Sequence, residues 1–200
     1  VGDTLDTPAM NVWDDNFICV YHYNQLPGGD PYEGIKNSAS NVGHMTPYGM
    51  LDADLVDMQV GKGLNMDNTD CYSETDFAGG SNENMTLELI LQTSDWTSGM
   101  EPFNLNDHVD TWSSGTTFDI YFDGTDEYKY TLDTSGYLTN TNYYFSFVKN
   151  QTDLLAYVNE SLDLTVPSIA EIYAPDPTVY NYVYGLMKID ETRFSDIERS

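Results

Sequence analysis

In "MTLELILQ", apolar Met85, Leu87, Leu89 and Leu91 fall on one side while Thr86, Glu88 and Gln92 fall on the other. That period of two sets one face of a β-strand against a core and the other in water. The design recurs along the chain. "TFDIYFDG" puts Phe118, Ile120 and Phe122 opposite Asp119 and Asp123, and the Asp123-Gly124 turn signal leads into "YKYTLD" as a returning strand, which predicts a hairpin. "NYYFSFVKNQTDLLAYVNESLDLT" gives Tyr143, Phe145 and Phe147, a polar turn, then Leu155 and Tyr157, and a second polar turn at Asn159-Glu160, which predicts a meander of three strands. No segment keeps the i, i+3, i+4, i+7 spacing of a helix for three turns. The prediction is an all-β chain, a two-sheet antiparallel β-sandwich, with turn signals about 8 to 12 residues apart.

Charge narrows the partners. The 33 acidic and 7 basic residues give a formal net charge of -26 over 200 residues, which repels phosphate backbones and anionic lipid head groups, so neither nucleic acid nor membrane insertion is expected. No stretch approaches the run of about 18 apolar residues that spans a bilayer. The chain opens "VGDTLDTPAM" without a basic start or apolar run, and its first residue, Val1, suggests a processed product or a part of a larger chain or assembly. N-x-S/T sequons stand at Asn84, Asn150 and Asn159. The two cysteines, Cys19 and Cys71, are expected to be free thiols, a disulfide between them being the alternative.

Six stretches resemble, in order, the laminin G-like domains of the concanavalin A-like lectin/glucanase superfamily. "VWDDNFICVYHYNQ" is similar to an opening V-W-D-x-N-Y-x-x-V-W-H-L-x-E, and in "GGDPYEGIKNSASNVGHMTP" Asn37-Ser38 stands where the family has Asp-Ser. "VGKGLNMDNTDCY", "NMTLELILQT" and "NYYFSFVKNQTDLLAYVNES" resemble the next strands and hairpin, and "GLMKIDETRFSDIERS" resembles the closing G-x-I-D-E-V-R-I-S-x-x-x-R-S. The resemblance covers residues 12–200 and leaves 1–11 as an N-terminal arm or linker. It departs at Asn68 and Glu160, which replace turn glycines, and at Thr192, which replaces a core Val. It implies a jelly-roll sandwich with its first and last strands close together. It implies no single activity, because the fold carries lectins, hydrolases, adhesion modules and structural domains alike.

Asp190-Glu191 invites a catalytic or metal reading. The resemblance implies instead a polar face on a closing strand, with one of the two acids pairing Arg193, and allows a structural calcium held by Asp190, although the first-strand partners here would be the uncharged Asn24 and Gln25. Glucanases of this fold place nucleophile and acid about 5 Å apart on alternating positions of one strand, and no strand here shows that spacing. His22, His44 and His108 are scattered. The chain is therefore expected to be no enzyme. It is expected to bind a glycan or a neighbouring protein subunit, as an adhesion or decoration module on an extracellular or virion surface. The candidate contacts are Trp96, Trp112, Tyr180 and Tyr182, read as aromatics on long irregular connections.

Overall fold

The computed structural model describes residues 13–27, 34–39, 43–66, 70–75, 84–105, 109–122, 129–150, 153–167, 179–197 and 199. Alternation becomes architecture most directly at Met85–Gln92, where Met85, Leu87, Leu89 and Leu91 are fully buried along one side. In chain order the strands are β1 Phe17–Tyr21, β2 Thr46–Tyr48, β3 Leu55–Met58, β4 Gly61–Asn65, β5 Asp70–Thr75, β6 Met85–Gln92, β7 Met100–Leu105, β8 Val109–Ser114, β9 Thr117–Phe122, β10 Lys129–Asp133, β11 Tyr143–Lys149, β12 Asp153–Val158, β13 Ser161–Pro167, β14 Val179–Tyr184 and β15 Lys188–Ser195. One 3-10 turn, Asp52–Asp54, precedes β3.

These strands form two antiparallel sheets. The first runs β13-β12-β11-β6-β15-β4-β3, with β1 also on β15, and the second runs β10-β9-β8-β7-β14-β5-β2. The chain is thus an all-β, two-sheet sandwich, as alternation predicts. Leu87, Leu89, Phe145, Phe147, Ile189 and Phe194 of the first sheet share one core with Phe103, Phe118, Ile120, Leu132 and Val183 of the second. Ring contacts join the layers at Phe118 and Phe145, 4.7 Å between centroids, and at Phe103 and Phe194, 5.5 Å. Burying one such side chain contributes roughly 1.5 to 3 kcal/mol, so this interleaving is the main source of stability.

The predicted hairpin is β9-β10, paired from Lys129 with Tyr121 to Asp133 with Thr117, while the Asp123-Gly124 turn lies outside the described residues. The predicted meander is β11-β12-β13. Its second strand turns the other way from the expectation: Leu154 and Ala156 are buried, and Leu155 and Tyr157 stand half-buried on the opposite face. Its second turn stays at two residues despite the missing glycine, with Val158 paired to Ser161 and positive φ at Asn159 (50°) and Glu160 (67°), as a type I′ turn requires. The Asn68 turn lies outside the described residues.

The first and last described segments meet. Arg199 reaches Asp14 with Nη2 2.8 Å from Oδ1, and its guanidinium lies 3.8 Å from the Phe17 ring centroid. Asn37 fastens the loop after β1: its Oδ1 accepts from the Val20 and Ala39 amides, each at 3.0 Å, and its Nδ2 donates to the Ile18 carbonyl. Cys19 is a buried free thiol whose pKa burial pushes up; the Cys71 side chain lies outside the described residues.

Candidate functional site

Two outward faces carry the polar and aromatic residues from which a site can be built. On the first sheet, β15 pairs with β4 through Lys188 and Ile189 and then with β1 from Thr192 onward. The change of partner falls at Asp190-Glu191. There the register against β6 shifts between Asp190 and Arg193, and Glu191 takes φ 51°. An extra residue in one strand is a β-bulge, and a left-handed non-glycine residue costs about 1 to 2 kcal/mol. Partners offset that strain. Glu191 accepts from His22 Nδ1 at 2.7 Å and from Arg193 Nη2 at 3.0 Å. Arg193 is also 4.0 Å from Glu88, which accepts from the Tyr144 hydroxyl, and its guanidinium sits 5.6 Å from the Trp13 ring. Burial by itself would raise the Glu191 carboxyl, but the His22 and then Arg193 contacts outweigh it and hold it below the usual range.

Asp190 behaves in the opposite way. It is 0% exposed, its Oδ2 accepts from the Val60 amide at 3.2 Å, and its Oδ1 is buried with no hydrogen-bond partner. Burial first, and then the neighbouring Glu191 charge, push its pKa up to about 6. Two adjacent carboxyls set apart in this way can mark acid and base roles, yet the turn carrying Val60 lies over Asp190 and leaves a substrate no approach. The calcium reading fares no better. Calcium takes six to eight oxygens, whereas the Glu191 oxygens are committed to His22 and Arg193. Among the described residues, no three or more His, Cys, Asp or Glu stand together as a metal-holding group. The described donor set does not fit the ion.

The second sheet presents an open face. Along β8, Val109, Thr111 and Ser113 are buried while Asp110 and Trp112 are half-buried. On β9, Phe118 and Ile120 enter the core, so Thr117, Asp119 and Tyr121 take the outer side. Trp112 stands opposite Asp119, and Asp110 opposite Tyr121 on one flank and Asn104 on the other. The indole packs against Gly99, just before β7, where a Cβ would meet ring carbons of Trp112 at 3.1 and 3.3 Å. Asp119 is 2% exposed and accepts from the Tyr121 hydroxyl at 3.4 Å, and Asn104 Nδ2 donates to Glu101. Trp112 and Tyr121 are diagonal neighbours, about 7 to 8 Å apart. Flat rings among carboxylates, an amide and a hydroxyl can stack on the C-H face of a sugar and hydrogen-bond its hydroxyls.

The four expected aromatics therefore part company. Trp96 is a core residue, 5% exposed, edge-on to Tyr137 and Tyr143 with centroids 5.4 and 5.6 Å away, and its Nε1 donates to the Leu138 carbonyl at 3.4 Å. Its ring is taken up by packing. Trp112 lies on a strand, not a loop, because "SDWTSGMEPFNLNDHVDTW" contains most of β7 and β8. Tyr180 and Tyr182 lie on strand β14, in register with Glu74 and Asn104; only their backbones are described. Glu101, Asn104, Asp110, Asp119 and Tyr121 were not anticipated. Asp110 is signalled by the alternation in "VDTWSS", whose inward Thr111 and Ser113 are small and polar and so do not announce a strand, and Asp119 and Tyr121 by the alternation in "TFDIYF".

No protein-family model matches the chain, and no curated protein matches it in sequence. Solved structures match in fold. Domain 4 of AbnA, a GH43 extracellular arabinanase from Geobacillus stearothermophilus, in complex with arabinotriose, superposes with a TM-score of 0.64 at 12% identity, covering 92% of this chain and 94% of that one. The binding domain of Paraclostridial Mosquitocidal Protein 1 gives 0.66 at 12% identity over 93% of this chain, and a structure of botulinum neurotoxin type C, whose cell entry depends on two ganglioside molecules, gives 0.68 at 10% over 96%. The chain spans about half the length of the toxin chains, 50% in each case. At these identities the likeness shows the sandwich fold.

Proposed function

We propose that the chain is a non-catalytic carbohydrate-binding module, laminin G-like in organisation, that works on an extracellular surface and holds its glycan on the outer face of the second sheet around Trp112. One observation carries the reading. Trp112 is a large aromatic left half-buried on the outer side of β8, packed against Gly99 and in register with Asp119. Large apolar groups left partly in water are costly unless used. The arabinotriose complex of the arabinanase domain supports the reading, since that domain corresponds to this chain over nearly its whole length.

The test pairs two tryptophans. Trp112→Ala should weaken binding to an oligosaccharide array by about 1 to 3 kcal/mol and change unfolding free energy by less than about 1 kcal/mol. Trp96→Ala, the core control, should lose about 3 to 5 kcal/mol of stability. An array on which the native protein binds nothing sinks the proposal. Retained stability with failure to join a larger particle would move the function to assembly.

A further inference from the structure

Asn159-Glu160-Ser161 is an N-x-S sequon set at the tip of the β12-β13 hairpin, and all three residues are exposed. Asn159 Oδ1 accepts from the Tyr144 amide at 3.0 Å. Because that partner is an N–H donor, the amide oxygen faces the sheet, and Nδ2, which makes no hydrogen bond with the described residues, is left toward water. Asparagine suits the left-handed turn on its own account, at φ 50°. Ser161 has no such task, since its hydroxyl makes no hydrogen bond with the described residues. β13 ends its sheet, and no further strand pairs beyond it among the described residues. The other sequons differ. Asn84 leads into β6, which is flanked by β11 and β15, and its partners Met85 and Thr86 are buried, the Thr86 hydroxyl lying between the Ile197 carbonyl and the Arg199 amide. Thr152 of the Asn150 sequon lies outside the described residues.

We infer that Asn159 is an N-glycosylation site, with an oligosaccharide carried on its Nδ2 at the β12-β13 turn of the folded sandwich. The donor is an oligosaccharide linked to a lipid pyrophosphate. The bond from Nδ2 to the sugar C1 forms, the C1–O bond breaks with its electron pair leaving on the pyrophosphate, and one Nδ2 proton passes to a base of the transferase. The side chain remains an amide, so Oδ1 keeps the Tyr144 contact and the turn is unchanged. The transferase reads the extended chain, and the fold then decides whether the sugar can stay. At Asn159 it projects from a sheet edge into water, whereas at Asn84 it would start between two neighbouring strands. The hairpin belongs to the first sheet and Trp112 to the second, so a carried glycan and a bound one use different parts of the molecule, and this inference is independent of the carbohydrate reading.

The full chain, secreted behind a cleavable leader from a cell line that N-glycosylates, tests it. Intact mass before and after treatment with a peptide N-glycosidase, with peptide mapping of the aspartate that this amidase leaves, should place the glycan at Asn159. Ser161→Ala should lose that glycan and melt at the same temperature as the native glycoform, because both keep the Oδ1 acceptor for Tyr144. Asn159→Ala should lose the glycan and that contact together and melt lower than Ser161→Ala. An unmodified Asn159, a glycan carried at Asn84 or Asn150 in its place, or a native glycoform that melts well below Ser161→Ala overturns the inference.

Discussion

The two outer faces of the sandwich use similar residues to opposite ends. On the first sheet the charged groups around Asp190 each meet a partner of opposite sign or a ring: Glu191 with His22 and Arg193, Arg193 with Glu88 and Trp13, Arg199 with Asp14 and Phe17. On the second, Trp112 and Tyr121 stand half-buried in register with Asp119 and Asp110, with Lys129 of β10 opposite Tyr121. A face whose charges already neutralise one another has little left for a ligand, and its worth is structural. A face with half-buried rings keeps flat apolar surface for something else. The lesson is that Asp190-Glu191, which draws the eye in the sequence, belongs to the closed face, while the quieter "VDTWSS" supplies the open one.

The largest effect that would break this contrast is at Glu191. Glu191→Ala keeps the left-handed backbone and takes their shared acceptor from His22 and Arg193, leaving Arg193 with Glu88 at 4.0 Å and the Trp13 ring, so it should cost about 2 to 3 kcal/mol in urea unfolding. Trp112→Ala on the open face should stay within about 1 kcal/mol. Similar losses at both positions would erase the distinction between a structural and a binding face.

Next in size is the pH dependence of Asp190. Its carboxyl titrates at about 6 when folded, against 3.8 ordinarily. Between those values the folded chain holds a proton that the unfolded chain lacks, so this group's contribution to stability falls as pH rises from about 4 to 6. Glu191 has the opposite sign: its folded pKa is depressed, and its contribution is lost as pH falls through that lowered value. Asp190→Asn retains an acceptor for the Val60 amide and removes the charge. It should gain on the order of 1 to 2 kcal/mol at pH 7 to 8, with the gain gone by about pH 4. Melting curves across that range decide it. A chelator should leave the native protein's melting unchanged, and a drop would restore an ion at Asp190.

A smaller effect belongs to the third residue of the bulge. Thr192 is fully buried and its hydroxyl has no partner among the described residues. Thr192→Val keeps the shape and removes an unsatisfied donor, so stability should rise by about 1 kcal/mol. A loss of that size would mean the hydroxyl is satisfied, with water the obvious partner.

Long alternating strands with large apolar residues were legible from sequence: β6, β9 with β10, and β11 to β13. Strands whose inward positions are small or polar were not. In β8, Thr111 and Ser113 are buried because Thr111 exchanges hydrogen bonds with the Phe103 backbone and Ser113 donates to the Trp96 carbonyl, and no periodicity of apolar residues can reveal that. The Arg193 pairing was readable from two acids and an arginine on one strand. The burial of Asp190 was not, since its cover comes from a turn 130 residues away. A bulge also breaks the rule of two on which such reading depends.

The last and smallest effect compares two glutamates in the same rare backbone region. Glu191 and Glu160 have φ of 51° and 67°. Glu191 is 8% exposed and held by His22 and Arg193, whereas Glu160 is exposed at the β12-β13 turn and makes no hydrogen bond or ion pair with the described residues. Strain at the first is offset by contacts; at the second nothing local offsets it. Glycine removes the steric cost of a left-handed residue but adds conformational freedom to the unfolded chain. Glu160→Gly should therefore stabilise by about 0.5 kcal/mol, the relief slightly exceeding the added entropy, and Glu191→Gly should still destabilise because the lost contacts outweigh the relief. Opposite signs for one substitution at two left-handed glutamates would show that the closed face is held by its ion pairs and not by its backbone. A stabilising Glu191→Gly would show that those pairs contribute less than the strain they accompany, and the first sheet's outer face would then have to be reconsidered as a site held under tension.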